Sequence, residues 1–384
     1  MKALVFHHPK KVKVEEVKDP NIEDDKDIIV KVTSTAICGS DLHIYNGFIP
    51  QAKDMVLGHE FMGIVEETGK GIKHLKKGDR VVVPFPIACG SCFFCKHALP
   101  THCETSNDNY GPEGGMLKEK GGALFGYTDL YGGYQGGQAE YVRVPYAHFG
   151  PRKIEDNLRD EEVLFLSDIF PTGWSAIDWA ELKGDETVAV FGCGPVGIMA
   201  QKAAWLKGAK RVIGIDPLNY RLEIARKSAK SETINPYETN VVEFLREITE
   251  GRGPDVCVDA VGMEVDRNFG EKISNTLHGQ AGSIKVIDLA ASAVRRGGII
   301  SIVGVYGSPY DNFPFGQIFD KGIALKTGQA PVQHYIDELL NLVRSNKVTL
   351  DDIITHVLPL EQAEKAYEIF CKKEDNCLKV ILKP

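Results

Sequence analysis

The sequence predicts an α/β protein in which a β-rich part is followed by a doubly wound parallel sheet, and three observations predict it. From Met1 to about Gly150 the apolar runs are short, as in Ile28-Ile29-Val30, Ile64-Val65 and Val81-Val82-Val83, and Gly, Pro and Asp break them, the pattern of strands joined by loops. From about Thr172 to Leu325 strand-like runs alternate with helical ones, the pattern of βαβ units. Glycine, at 39 of 384 residues, exceeds the average of roughly 7%, so tight turns and close backbone approaches are frequent.

In chain order, Thr187-Val188-Ala189-Val190-Phe191 is a buried-strand run, followed by a glycine turn and an apolar helical stretch from Val196 to Lys207. Arg211 to Asp216 is strand again, and Asp255 to Val261 and Ile299 to Val305 repeat the pattern. After Gly328 come helical segments at Tyr335 to Ser345 and Leu360 to Lys373, then a last strand, Leu378 to Leu382. That tail is too small to fold alone and is expected to return to the first domain. The expected boundaries are residues 1–168, with a cysteine lobe at 86–106, then 169–326, then 327–384.

Composition excludes several roles. The 45 Lys and Arg against 53 Asp and Glu leave a net charge of -8, with no excess of cations to neutralise a nucleic acid. No apolar run approaches the roughly 18 residues of a membrane span, and Met1 to Pro9 lacks a signal-peptide core, so a cytoplasmic protein with no membrane partner is expected. Nine cysteines is an odd number, and Cys89, Cys92, Cys95 and Cys103 crowd together, which suits a metal better than a disulfide framework.

Gly192-Cys193-Gly194-Pro195-Val196-Gly197 matches G-x-G-x-x-G, follows a strand, opens a helix and has Asp216 at the end of the next strand. Gly192 permits the tight turn, Gly194 lets the backbone approach a pyrophosphate, and Gly197 lets helix and strand pack closely. Asp216 is expected to accept from the adenosine ribose and to repel a 2′-phosphate, favouring NAD over NADP. Arg221 reads as a solvated helix charge or a contact to the ribose region.

The run Cys89-Gly-Ser-Cys92-Phe-Phe-Cys95, with Cys103 eight positions on, offers four thiolates for a closed tetrahedral Zn²⁺ shell, a folding site with no open position. A reducing compartment argues against disulfides, while the spacing alone leaves an iron–sulfur cluster open. Elsewhere stand Cys38 in Cys38-Gly39-Ser40-Asp41-Leu42-His43 and the pair His59-Glu60 in Gly58-His59-Glu60-Phe61. Each alone reads as a buried packing or hydrogen-bonded residue; together with a carboxylate they make an open zinc site.

These motifs in this order resemble the zinc-dependent alcohol dehydrogenases of the medium-chain dehydrogenase/reductase superfamily, and the resemblance runs essentially end to end. It implies a GroES-like catalytic domain and a Rossmann coenzyme domain. It also implies Cys38 and His59 as catalytic-zinc ligands, Glu60 as an alternative or neighbouring ligand, Ser40 with His43 as a proton relay, and Thr172 and Val196 beside the nicotinamide. Where most of the family has a third ligand cysteine, this chain has Asp168 in Leu166-Ser167-Asp168-Ile169. That departure resembles the glutathione-independent formaldehyde dehydrogenase branch, as do Gly132 to Tyr141 and Thr327 to Val332. Asp168 reads as the third ligand or as a residue that orients one.

The stretch Met263 to Val294 is longer than one helix; the resemblance implies an insertion that covers the bound NAD, while the residues alone read as a surface helix pair or a subunit contact. The implied cofactors are two Zn²⁺ per chain and NAD. The implied substrate is a small alcohol or an aldehyde hydrate, with a secondary-alcohol or polyol dehydrogenase as alternative and a non-catalytic dinucleotide-binding protein as the remote one. A homodimer or homotetramer is expected, with Ile299 to Val305 the candidate strand for pairing across a two-fold.

Overall fold

A computed structural model describes residues 1–49, 51, 54–107, 121–262, 284–306 and 312–384. Residues 263–283 of the proposed insertion lie outside the described residues, and of its remainder Lys285–Ala293 is an α-helix. The chain divides into two compact units, Met1–Pro171 with Pro331–Pro384, and Thr172–Ala330.

The first unit is organised around the strand Ile28–Ile37. It pairs antiparallel with Glu60–Thr68, Tyr141–Val144 and Val380–Lys383, so it is central and buries nearly every side chain. Ile28, Val30, Phe61, Val65, Val81, Phe125 and Val142 pack the core on one side of this sheet. In the register of these strands Ala36 lies opposite Glu60, and Ile37 lies opposite Val380. One end of the sheet therefore brings together the residues flanking those pairs, namely Cys38, His59 and Lys379. The short helix Gly39–Tyr45 starts there, with Asp41 in its first turn.

Among the described residues of the second unit, six parallel strands run in the order Glu232–Ile234, Arg211–Ile215, Thr187–Phe191, Val256–Asp259, Ile299–Ile302 and Ala324–Thr327. This is the Rossmann order, reversing between Thr187–Phe191 and Val256–Asp259. Two expectations are corrected. Ile299–Ile302 is hydrogen-bonded on both sides, by Val256–Asp259 and Ala324–Thr327, so it has no free edge for a two-fold partner. The strand expected to reach Val261 stops at Asp259, whose carboxylate accepts from the N–H groups of Val261 at 2.9 Å and Gly262 at 3.1 Å and so turns the chain.

Two boundaries also shift. The helix expected from Tyr335 begins at Val332, directly after Pro331, and buries Val332, Tyr335, Ile336, Leu339, Leu340 and Val343 as one stripe. Leu360–Gln362 is a 3₁₀ turn leading into the helix Ala363–Lys372, which ends at Lys373 in the left-handed conformation. Among the described residues no helix is long and apolar enough to cross a membrane.

Candidate active site

Cys38, His59, Glu60 and Asp168 are all buried, and each offers a ligand atom within 4.8 Å of the others. Cys38 Sγ lies 3.4 Å and His59 Nε2 3.3 Å from the same oxygen, Asp168 Oδ2. Zinc bonds of about 2.0–2.3 Å in a tetrahedral shell put ligand atoms roughly 3.3–3.6 Å apart, so these three atoms have the spacing of a shell around one ion. Ser40 Oγ is 3.2 Å from His59 Nε2. Asp168 stands between a 3₁₀ turn, Leu164–Ser167, and the helix Ile169–Asp178, with its side chain directed into the cluster.

The electrostatics ask for a cation. Burial, then the charges of Asp168 and Glu60, push the Cys38 thiol up to about 12. Burial opposes charge on His59, yet Asp41, Cys38 and Asp168 together hold its pKa well above the ordinary histidine range. A dication in place of these protons relieves the clustering of acidic groups.

Glu60 is held differently. Its Oε1 accepts from Lys379 Nζ at 2.7 Å, both side chains being fully buried, and Lys379 also donates to the carbonyl of Ile37 at 3.0 Å. Glu60 Oε2 has no hydrogen-bond partner among the described residues. The carboxylate thus has one oxygen tied and one left for a metal, as its expected place beside the ligand set requires. Burial raises its pKa against the pull of Lys379.

Sequence reasoning missed four contributors. Asp41, quoted in the motif but given no role, accepts from the Cys38 backbone N–H at 2.9 Å and places its other oxygen 3.1 Å from His59 Nδ1, an ion-pair distance. Gln138 and Tyr367 lie behind Asp41. Lys379 could have been found as the one charge in the apolar run Cys377 to Leu382. His43 sits one turn after Ser40, and burial, ahead of the opposing pull of Asp41, lowers its pKa to about 4, so the ring is neutral at pH 7.

In the cysteine lobe the Sγ atoms of Cys89 and Cys95 are 4.0 Å apart and those of Cys92 and Cys103 3.9 Å, close to the ~3.8 Å edge of a tetrahedral ZnS₄ shell. All four sulfurs lie within 4.8 Å of one another, too near to enclose a cluster of several irons, and none is in a disulfide. Burial opposes ionisation of Cys89, but the Thr105 hydroxyl and the backbone N–H and hydroxyl of Ser91 bring its thiol down to about 5.

In the second unit Gly192 has φ +95°, and a Cβ on Gly197 would stand 1.9 Å from the Gly192 carbonyl oxygen, so helix and turn touch backbone to backbone there. Pro195 and Val196 open the helix Pro195–Leu206, with Gly194 at its N-cap. Asp216 accepts from Cys193 N–H on Oδ2 and Leu218 N–H on Oδ1, both at 2.9 Å, and each oxygen keeps a second lone pair. The Arg221 guanidinium is 3.7 Å from Asp216 and beside Gly194, which places it at the turn rather than out in solvent. The carbonyl of Thr172 accepts from the Ser175 hydroxyl at 2.9 Å, inside the helix Ile169–Asp178.

Residues 24–153 match the alcohol dehydrogenase GroES-like domain, and residues 195–272 match the zinc-binding dehydrogenase family. The chain is 49% identical, over the whole of both sequences, to an uncharacterized zinc-type alcohol dehydrogenase-like protein of Bacillus subtilis strain 168. A glutathione-independent formaldehyde dehydrogenase of Pseudomonas aeruginosa is a more distant relative, 33% identical over 96% of this chain and 94% of its own. Among solved structures, the alcohol dehydrogenase TADH from Thermus sp. ATN1 superposes with a TM-score of 0.86 at 37% identity, over 100% of this chain and 99% of the other. With full-length identity, both domain matches and donor sets that suit zinc, the chain belongs to the zinc-dependent medium-chain alcohol dehydrogenases, a family of oxidoreductases.

Proposed function

We propose that the protein is a cytoplasmic, NAD-dependent oxidoreductase of small alcohols and aldehydes, with Cys38, His59 and Asp168 as catalytic-zinc ligands and the four-cysteine lobe as a folding site. The observation that carries this reading is the meeting of Cys38 Sγ and His59 Nε2 on Asp168 Oδ2, at 3.4 and 3.3 Å, with the Ser40 hydroxyl 3.2 Å from His59. When bound, zinc supplies Lewis acidity toward a substrate oxygen and NAD supplies the hydride acceptor.

This chain's own groups do the rest. Ser40 carries a hydroxyl that both accepts and donates, as the first member of a proton path must. His43, neutral at pH 7, can take a proton and release it. Glu60 keeps a carboxylate oxygen in reserve beside the ligands. Asp216 accepts from the ribose hydroxyls, and its charge disfavours a 2′-phosphate. Arg221 holds the ribose-phosphate side, and Thr172 and Val196 flank the nicotinamide. On this reading residues 1–168 and 327–384 form the catalytic part and 169–326 the coenzyme part of a homodimer or homotetramer.

The test is NAD reduction followed at 340 nm with ethanol, formaldehyde and a sugar alcohol, alongside metal analysis. Turnover of the first two with about two zinc per chain supports the reading. Preference for the sugar alcohol favours the polyol reading, and one zinc with no turnover leaves only a dinucleotide-binding protein. Desalted, denatured protein that releases stoichiometric NAD would add aldehyde dismutation, in which one aldehyde hydrate is oxidised to the acid and the next aldehyde is reduced to the alcohol.

A further inference from the structure

The segment Gly132 to Tyr141, conspicuous in the sequence, has no place in the chemistry above. Its glycines lay it flat against the chain that leads into His59: Gly136 N–H donates to the carbonyl of Val56 at 2.8 Å, Gly137 N–H to Gly58 at 2.8 Å, and Gln138 N–H to Leu57 at 3.0 Å. A Cβ on Gly136 would stand 2.3 Å from the Leu57 carbonyl oxygen, and one on Gly58 only 2.4 Å from Gln138 Cγ. These contacts deliver one fully buried side chain, Gln138, beneath Asp41.

The amide of Gln138 has a forced direction. A carboxylate only accepts, so the Gln138 NH₂ must face Asp41; its Nε2 donates to Asp41 Oδ2 at 3.3 Å and to the Ala36 carbonyl at 3.3 Å. Oε1 then points the other way and needs a donor. Tyr367, fully buried on the helix Ala363–Lys372, provides it, its hydroxyl donating at 2.8 Å. Without that hydroxyl Oε1 loses its donor in a fully buried site, and the amide keeps only its two longer bonds, at 3.3 Å, to hold it against Asp41.

We propose that Gln138 and Tyr367 are positioning residues of the catalytic metal site: they lock the Asp41 carboxylate, which in turn holds the backbone of Cys38 and the ring of His59. The proposal rests on the zinc-site reading above. Groups behind metal ligands are typically worth about 10–100-fold in metal affinity.

The variants are Tyr367→Phe and Gln138→Met, with Tyr45→Phe as the packing control, because the Tyr45 ring lies 5.3 Å from that of Tyr367 and takes no part in the chain of hydrogen bonds. Zinc affinity is read by competition with a chromophoric chelator, and the ligand field by the visible bands of Co²⁺ loaded in place of zinc. In Tyr367→Phe and Gln138→Met the Cys38 site should bind zinc about tenfold more weakly and its Co²⁺ bands should shift, while the lobe zinc and Tyr45→Phe match the parent. Either folded variant suffices for the reading, with folding judged by circular dichroism. Parent-like zinc affinity and Co²⁺ bands, with only the melting temperature lowered, would show a purely structural role and overturn the proposal. A parent protein that holds zinc in the lobe alone would instead overturn the metal-site reading itself.

Discussion

Asp41 touches two of the three expected ligands at once, through the backbone N–H of Cys38 and the ring of His59, so the positions of both depend on one carboxylate. The expected ligands were legible because Cys and His in short Gly-containing motifs are chemically conspicuous. Lys379 was not: within Leu378 to Leu382 it reads as the outward face of a strand, and its partner Glu60 is 319 positions away. On the proposed zinc site, replacing Cys38 by Ser should abolish turnover while leaving NADH affinity, measured by fluorescence titration, within twofold of the parent, since the thiolate would serve the metal and not the coenzyme turn. Lys379→Met should cost about 3–5 kcal/mol in urea unfolding at pH 7, because it strands a buried carboxyl, and adding Glu60→Gln should recover much of that loss. Full stability in the single variant would mean that the pair contributes nothing to folding.

At the scale of elements, the glycine turn and the cysteine lobe were readable because each is written in a few consecutive residues whose spacing has a geometric meaning. The pairing of Ile299–Ile302 was misread for a physical reason: interior and edge strands of a parallel sheet are both apolar runs, so periodicity cannot say which has a free side. The Gly197 contact makes a firm forecast. Gly197→Ala drives a methyl into the Gly192 carbonyl, 1.9 Å away, and should weaken NADH binding at least tenfold by fluorescence titration while the lobe keeps its zinc. Cys92→Ser acts on the other element: the lobe loses a ligand, and soluble yield and melting temperature should both fall, with the zinc content dropping toward one per chain. A soluble, heat-stable variant would remove the folding role from that lobe.

Over the whole molecule, the proposed ligand set makes protons and zinc compete for the same atoms. The Cys38 thiol, pushed up to about 12 by burial and by the charges of Asp168 and Glu60, holds at neutral pH a proton that the metal must displace. Zinc affinity at the Cys38 site should therefore fall as pH is lowered, and calorimetry in buffers of different ionisation enthalpy should show protons released on binding. An affinity independent of pH between 6 and 9 would contradict this.

The two proposed metal centres also differ in when they can come into being. The four lobe cysteines lie between positions 89 and 103, so that centre can close on zinc while later residues are still being added. The Cys38 pocket is completed by Tyr367 and Lys379, from the helix Ala363–Lys372 and the residue before the strand Val380–Lys383. A nascent chain halted at residue 350 should accordingly carry one ion, and the second should enter only after synthesis has passed the final strand.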